Sequence, residues 1–154
     1  MNTSPTATIH SVIGYIDIYA DEKHLHKVEF SRRKTPIKPS NKISLETARQ
    51  LSNYFSDPRF KFTLPYLLDV SHHQHSVLDA MLAIPCGETR SYGEIAAEIN
   101  SSPRAVGNAC RRNPLAIVIP CHRITAKNSL GGFAGKTTGR LIDIKMQLLK
   151  HEKI

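Results

Sequence analysis

The pattern of hydrophobic and polar positions predicts strands in the first third of the chain and helices in the remainder. Residues 11–20 alternate in part between apolar and polar side chains and are rich in β-forming residues, which predicts a strand. A second strand is predicted over 25–30. Residues 31–42 are basic and contain two prolines, so they are typical of a loop.

One helix is predicted in this first part, from an N-cap at Ser44 to about Phe55. Residues 59–71 have the pattern of an extended linker. We therefore expect a scaffold domain over 1–68 and a second domain over 69–154. The helical spacing of apolar residues predicts that the helix buries the face formed by Leu45, Ala48, Leu51 and Phe55.

Two short helices joined by a three-residue turn predict a helix-turn-helix in the second part. Ser91 fits a capping box with the glutamate three residues later, which predicts a helix over 92–99. Ser102 as N-cap and Pro103 at the first helical position predict the next helix, to about Arg112. A helical hairpin in an ordinary core has the same pattern, so the motif alone leaves both interpretations open. Two more helices are predicted, from residue 73 and over roughly 139–151.

The distribution of charge favours a nucleic-acid partner. The 154 residues include 21 Lys and Arg against 13 Asp and Glu, a net charge of +8. No acidic residue lies between Asn100 and Ile142, whereas a solubilising surface usually mixes both signs. In the second helix, small residues would let the backbone approach DNA closely, and Arg111 and Arg112 can reach phosphates. Arg104 sits in the first turn, where recognition helices enter a groove. The candidate DNA contacts are Arg104, Ala105, Gly107, Arg111 and Arg112.

Composition narrows the class of protein further. No apolar stretch approaches the roughly 18 residues that span a membrane, and the polar N-terminus lacks the apolar segment of a signal peptide. The three cysteines are an odd number and form no C-x-x-C pair, which argues against a disulfide scaffold and favours a reducing compartment. We expect a monomeric cytoplasmic protein that needs no metal or cofactor; the histidines at 72, 73 and 75 are interpreted as surface residues.

Cys121 and His122 are candidates for nucleophile and general base. A thiolate attacks far better than a thiol, and a neighbouring imidazole can accept the thiol proton. A carboxylate would then hold the imidazole, and Asp143 and Glu152 are the nearest downstream. A cysteine beside a histidine is common, however, and the pair alone favours a buried structural cysteine.

Several motifs follow one another along the second part of the chain. They are Arg104-Ala105-Val106-Gly107-Asn108-Ala109, Asn113-Pro114, Ile119-Pro120-Cys121-His122-Arg123-Ile124, Gly132-Phe133-Ala134-Gly135, Lys145, Leu148-Leu149 and His151-Glu152. Their order resembles the O6-alkylguanine-DNA alkyltransferases, also called methylated-DNA–protein-cysteine methyltransferases. The resemblance is strong over 75–152 and only general over 1–70. It implies an α+β fold: a small N-terminal antiparallel sheet with a helix, and a helical C-terminal domain of winged helix-turn-helix type.

The resemblance implies a single-turnover repair reaction on double-stranded DNA. Cys121 would take a methyl or larger alkyl group from O6 of guanine, and O4-alkylthymine is a further candidate substrate. His122 would act as base through water, and Glu152 would bond to His122. Asn113 would brace the turn before the site. Tyr92 would assist nucleotide rotation and supply a proton to the departing guanine.

Other implied roles concern DNA and the substrate pocket. Arg104 would fill the gap left by the extruded nucleotide. The candidate pocket residues are Ile124, Phe133 and Ala134. Phe133 stands where the family usually has tyrosine, and the stretch 136–144 is longer than usual. Arg123 would either contact DNA or form a structural salt bridge.

Two other functions compete with alkyl transfer. A non-catalytic protein that binds alkylated DNA could share the scaffold, but such relatives replace the cysteine, often by tryptophan, and this chain keeps Cys121 and has no tryptophan. A cysteine hydrolase built on Cys121, His122 and Glu152 would leave the basic helix-turn-helix unexplained.

Overall fold

The computed structural model of the protein describes residues 4–127, 131 and 139–153. Its backbone contacts divide the chain into two units. The first comprises Met1–Asp69 and Pro114–Val118, and the second comprises Val70–Asn113 and Ile119–Ile154. The first unit thus uses two separate stretches of chain, a feature that the contiguous predicted ranges 1–68 and 69–154 do not include.

The first unit contains a three-stranded antiparallel sheet in the order β1-β2-β3. Its strands are β1 (Ala7–Ser11), β2 (Gly14–Ala20) and β3 (Leu25–Phe30). The predicted strand over 11–20 is wrong at its start, because Gly14 has φ +108° and the Ser11 hydroxyl donates to the Gly14 carbonyl at 2.7 Å. That tight turn joins β2 to β1, a strand that the sequence analysis did not predict.

Helix α1 (Lys42–Ser56) packs on this sheet, but its start and its buried face differ from the prediction. The N-cap is Asn41, whose side-chain oxygen accepts from the Ser44 amide at 2.8 Å. Leu45 is 61% exposed, whereas Leu51 and Tyr54 are buried. The helix also buries polar residues that find partners: Ser44 bonds to Thr6. Hydrophobicity alone therefore mispredicted the face, since hydrogen-bonded polar side chains occupy part of it.

The second unit is mainly helical. Helix α3 packs on α4, and α4 packs on α2. A short parallel pairing of β4 with β5 joins the chain ahead of α3 to the segment after Cys121. The predicted α+β fold is confirmed. The elements are α2 (His72–Leu82), β4 (Arg90–Ser91), α3 (Tyr92–Glu98), α4 (Pro103–Arg111), β5 (Ile124–Thr125) and α5 (Arg140–Glu152).

The predicted helix starts around the helix-turn-helix are confirmed. The Ser91 side chain accepts from the Glu94 amide at 3.0 Å, and the Glu94 carboxylate accepts from the Ser91 amide. Ser102 caps α4 by accepting from the Ala105 amide at 3.2 Å, with Pro103 in the first turn. Side-chain caps of this kind satisfy backbone N–H groups that a helix leaves open, so the local sequence fixes where each helix begins.

Candidate active site

Cys121 lies in a single 3-10 turn, Cys121–Arg123, which connects the apolar stretch ending at Ile119 to β5. The side chain is 9% exposed, and the Cys121 amide donates to the Ile119 carbonyl at 2.8 Å. Helices α2 and α5 both pack on this turn. Because the Cys121 thiol is buried, it can react only with a group that enters the protein.

His122, the residue that follows Cys121, forms a buried pair with Glu152. The ring Nε2 lies 2.7 Å from Glu152 Oε2, and the two side chains are 0% and 1% exposed. Because a carboxylate only accepts, Nε2 carries the hydrogen, and the lone pair of the neutral ring is left on Nδ1. Nδ1 is buried, and no atom of the described residues bonds to it. The ring therefore has one atom fixed by Glu152 and one atom available as a proton acceptor.

Arg123 is part of the same cluster. Its Nε donates to Glu152 Oε1 at 2.8 Å, and its Nη2 donates to Oε2 at 3.1 Å. Its Nη1 donates to the Ile84 carbonyl at 2.6 Å, and its side chain is 13% exposed. Of the two roles expected for Arg123, this arrangement favours the salt bridge over a contact with DNA.

Asn113 links the end of the helix-turn-helix to the cysteine turn. Its Nδ2 donates to the Ile119 carbonyl at 2.9 Å, and its side chain also hydrogen-bonds the Cys121 thiol. Its backbone amide donates to the Cys110 carbonyl at 3.1 Å, which ties it to the last turn of α4. A single residue thus couples the position of the thiol to the end of the proposed recognition helix.

Lys145 is a buried cation whose role the sequence analysis did not assign. It is 0% exposed, and its Nζ donates to the Ile124 carbonyl at 2.7 Å. Burial lowers the pKa of Lys145 to about 8. Residues 141, 144, 145 and 148 share one helical face, so its position on the apolar side of α5 was a signal that could have found it.

Burial has opposite effects on the two reacting groups. It raises the pKa of the Cys121 thiol, while the hydrogen bond from Asn113 and the charge of Lys145 act to lower it. It lowers the pKa of His122, and the bond to Glu152 acts to raise it. At neutral pH the resting site therefore favours a protonated thiol and an uncharged imidazole, which is the state in which a base can still accept a proton.

Models of a protein family match both parts of the chain. The DNA binding domain of 6-O-methylguanine DNA methyltransferase matches residues 72–154, and the ribonuclease-like domain of the same family matches residues 6–68. The chain belongs to the 6-O-methylguanine DNA methyltransferase family. Membership agrees with the resemblance drawn from the motifs around Cys121.

Individual relatives and solved structures agree with this membership. A methylated-DNA–protein-cysteine methyltransferase of Methanosarcina acetivorans is 39% identical over 154 residues, covering 95% of this chain and 96% of the relative. One from Archaeoglobus fulgidus is 48% identical over 88 residues, but this match spans only 57% of this chain and 60% of the relative. The crystal structure of Mycobacterium tuberculosis OGT in complex with DNA superposes with a TM-score of 0.81, at 34% identity, over 95% of this chain and 91% of that one.

The predicted DNA contacts on α4 and at its C-cap differ in exposure. Arg104, Arg111 and Arg112 are exposed, and none of the described carboxylates forms an ion pair with them. Ala105 and Gly107 are half-buried. The arginines are therefore available to a phosphate backbone, as the family's DNA-binding domain requires.

Tyr92 opens α3 and is closely surrounded by two glycines. A methyl group placed on Gly107 would lie 3.9 Å from the ring, and one on Gly131 would lie 3.1 Å from it. Gly131 has φ +74°, and such a methyl would also lie 2.9 Å from the Ala126 amide nitrogen. Only glycine fits at residue 131 without displacing its neighbours. The position of the Tyr92 ring thus depends on Gly107 and Gly131, which lie 15 and 39 residues further along the chain.

Of the three predicted pocket residues, only Ile124 lies within the described residues. Phe133 and Ala134 lie outside the described residues, as does Lys136 in the longer stretch. Ile124 is buried; its amide donates to the Cys121 carbonyl, and its own carbonyl accepts from Lys145. Both backbone groups of Ile124 thus have partners within the protein.

The described part of the chain contains neither a metal-binding cluster nor a helix that could span a membrane. Within residues 4–127, 131 and 139–153, no group of three or more His, Cys, Asp or Glu side chains could hold a metal ion. His73 bonds to Ser101, and His75 faces Asp79. Of the helices described, none has the length and apolar character to cross a membrane.

Proposed function

We propose that the protein repairs DNA directly, by moving a methyl or larger alkyl group from O6 of guanine to Cys121 in a single-turnover reaction. The observation that carries this proposal is a buried thiol followed directly in the chain by an imidazole whose Nε2 is fixed by Glu152 and whose Nδ1 is available. Family membership supplies the class of substrate, which is an alkylated base in double-stranded DNA. The reaction places the protein with the cell's DNA, and its cytoplasmic location and monomeric state remain predictions.

The chemistry needs one bond made and one bond broken. The Cys121 sulfur attacks the alkyl carbon, a carbon–sulfur bond forms, and the bond from that carbon to guanine O6 breaks. The thiol proton passes to His122, through a water molecule, and Glu152 stabilises the imidazolium that results. The leaving guanine takes a proton, for which the Tyr92 hydroxyl is the proposed donor. No oxidant, metal or cofactor is needed, because the alkyl group is bonded to an oxygen that leaves with the base.

The product explains why one protein molecule would repair one lesion. A thioether is stable to water, so nothing returns Cys121 to its thiol. The burial of Cys121 also requires the alkylated base to leave the helical stack, because a base within a duplex cannot reach a buried atom. Arg104, exposed in the first turn of α4, is the residue proposed to occupy the space that the base leaves.

A methylated oligonucleotide tests the function. The protein is incubated with duplex DNA that contains one O6-methylguanine, then digested and analysed by peptide mass spectrometry. We expect one methyl group on the peptide that contains Cys121, with a yield that never exceeds one per protein molecule. Tight binding of this DNA without transfer would instead identify a non-catalytic lesion-binding protein, and repeated turnover would identify a different enzyme.

Arg104→Ala is expected to slow repair of duplex DNA by about tenfold or more at saturating protein, because extrusion costs a few kcal/mol and each 1.4 kcal/mol is tenfold. Reaction with free O6-methylguanine base, which needs no extrusion, should keep its rate. The measurement is single-turnover transfer on both substrates. Arg111→Ala is the control: it should weaken binding and lower the salt slope by about one, with the rate recovered at saturation. Equal losses on both substrates for Arg104→Ala would contradict the role in extrusion.

A further inference from the structure

Arg123 binds the carboxylate of Glu152 with two nitrogens. Nε bonds Oε1 at 2.8 Å, and Nη2 bonds Oε2 at 3.1 Å. Oε2 is the same atom that accepts from His122 Nε2 at 2.7 Å. The third guanidinium nitrogen, Nη1, is held by the Ile84 carbonyl at 2.6 Å. Arg123 is thus fixed to the protein backbone on one side and fixes the carboxylate on the other.

This fixation matters because Glu152 is the last residue of α5. The final turn of a helix lacks part of its hydrogen bonding and tends to fray, so a side chain there has no rigid support of its own. The C-terminal end of a helix also carries partial negative charge, which disfavours a carboxylate. A two-nitrogen bond from arginine counters both effects, because it restricts the carboxylate geometrically and balances its charge.

Arg123 also affects the protonation of His122 through the charges around the ring. The groups that act on His122 are Glu152 and Lys145 from α5 and Arg123 from its own turn. On α2, which also packs on the turn, His75 and Asp79 pair with each other on the exposed face. With Arg123 present, the positive charges near the uncharged ring, on Arg123 and Lys145, outnumber the single negative charge on Glu152. Without Arg123 that excess is lost, which favours uptake of a proton by the ring.

We propose that Arg123 is a positioning residue for alkyl transfer: it holds the Glu152 carboxylate against Nε2 and, together with the burial of the ring, keeps His122 uncharged and ready to take the thiol proton. This inference rests on the proposed function. Arg123 acts through Glu152 and His122 and touches neither the alkyl group nor the leaving base. Its position in the Pro-Cys-His-Arg sequence then has a physical reason, since the residue after the base controls that base.

Two variants separate charge from geometry. Arg123→Met removes both, and Arg123→Lys keeps the charge but loses the two-nitrogen bond. The titration of His122 is followed by NMR of labelled histidines, with His122→Gln to assign the signal. Transfer from free O6-methylguanine base is followed as a function of pH, which removes any effect on DNA binding.

In Arg123→Met we expect the pKa of His122 to rise by about 1–3 units, the range typical of a lost neighbouring charge. The pH at which transfer reaches half its maximal rate should rise by the same amount. In Arg123→Lys the titration should stay near that of the wild type, while the maximal rate falls because the carboxylate is held less firmly. If Arg123→Met does not fold, the reduced maximal rate of Arg123→Lys supports the proposal, and an unchanged one overturns it.

A contact between Arg123 and DNA makes the opposite prediction. Both variants would then lose affinity for duplex DNA, and the titration of His122 and the rate on free base would stay at wild-type values, which would overturn the proposal. The NMR titration does not depend on alkyl transfer. A wild-type protein that fails to transfer an alkyl group would therefore contradict the proposed function while leaving the effect of Arg123 on His122 measurable.

Discussion

Replacing Cys121 with serine is expected to abolish alkyl transfer and to leave DNA binding within about twofold of the wild type. An SN2 attack on a small alkyl carbon needs a soft and strong nucleophile, and thiolate supplies it. A hydroxyl ionises far less readily than a thiol, whose ordinary pKa is about 8.5, and burial opposes ionisation further. The transferred methyl group should therefore fall below detection by mass spectrometry.

Binding should be unaffected because the Cys121 side chain is only 9% exposed and is not among the proposed DNA contacts. Binding is measured by titration of labelled duplex DNA containing O6-methylguanine. Cys86→Ser is the matched control, since Cys86 is half-buried in the same unit and also follows an Ile-Pro pair. The Cys86→Ser variant should transfer the methyl group at the wild-type rate. A methyl group found on Cys86 or Cys110 would show that the acceptor is not Cys121.

Some of the parts of the fold that depend on short-range signals were predicted correctly, although the cap of α1 at Asn41 and the turn at Gly14 were not. Both helix starts of the helix-turn-helix follow from a cap and its partner within a few residues, so the local sequence contains the whole interaction. The buried face of α1 was mispredicted for the opposite reason. Ser44 is buried because it meets Thr6, which lies 38 residues earlier, and periodicity cannot represent such a partner.

The candidate site shows the same division. Cys121 and His122 are adjacent in sequence, and the family's pattern pointed to Glu152, which the structure brings within 2.7 Å of the ring. The partner of Arg123 could not be derived, because two roles were open and only the position of the α5 end decides between them. Lys145 had a visible position on an apolar face, but no sequence rule says which carbonyl a buried cation will meet.

The burial of the site connects its parts into one mechanism. Because burial raises the pKa of the Cys121 thiol, the thiol is protonated in the resting protein and must lose its proton as the reaction begins. An imidazole whose pKa is lowered by burial is uncharged and able to take that proton. The resting protein thereby protects its only proposed acceptor from chance reaction, and the charge of Glu152 stabilises the imidazolium when it forms.

Glu152→Gln is therefore expected to slow transfer by roughly 10²–10⁴-fold, the usual contribution of general acid–base catalysis. The amide keeps the shape of the carboxylate but loses the charge that stabilises the imidazolium. The same change should destabilise the fold by about 3–5 kcal/mol, because Arg123, only 13% exposed, is left without its anion. Glu88→Gln breaks an exposed pair with Arg90 and is the control, with a change below about 1 kcal/mol and normal transfer.

The two effects of Glu152→Gln can be separated by adding Arg123→Met. Removal of both partners leaves no orphaned charge, so the double variant should regain much of the lost stability in urea unfolding. Its transfer rate should stay low, because no carboxylate remains to stabilise a charged His122. A double variant that regains the rate along with the stability would show that Glu152 serves the fold alone. A rate that stays low in a stable protein would place Glu152 in the proton transfer itself.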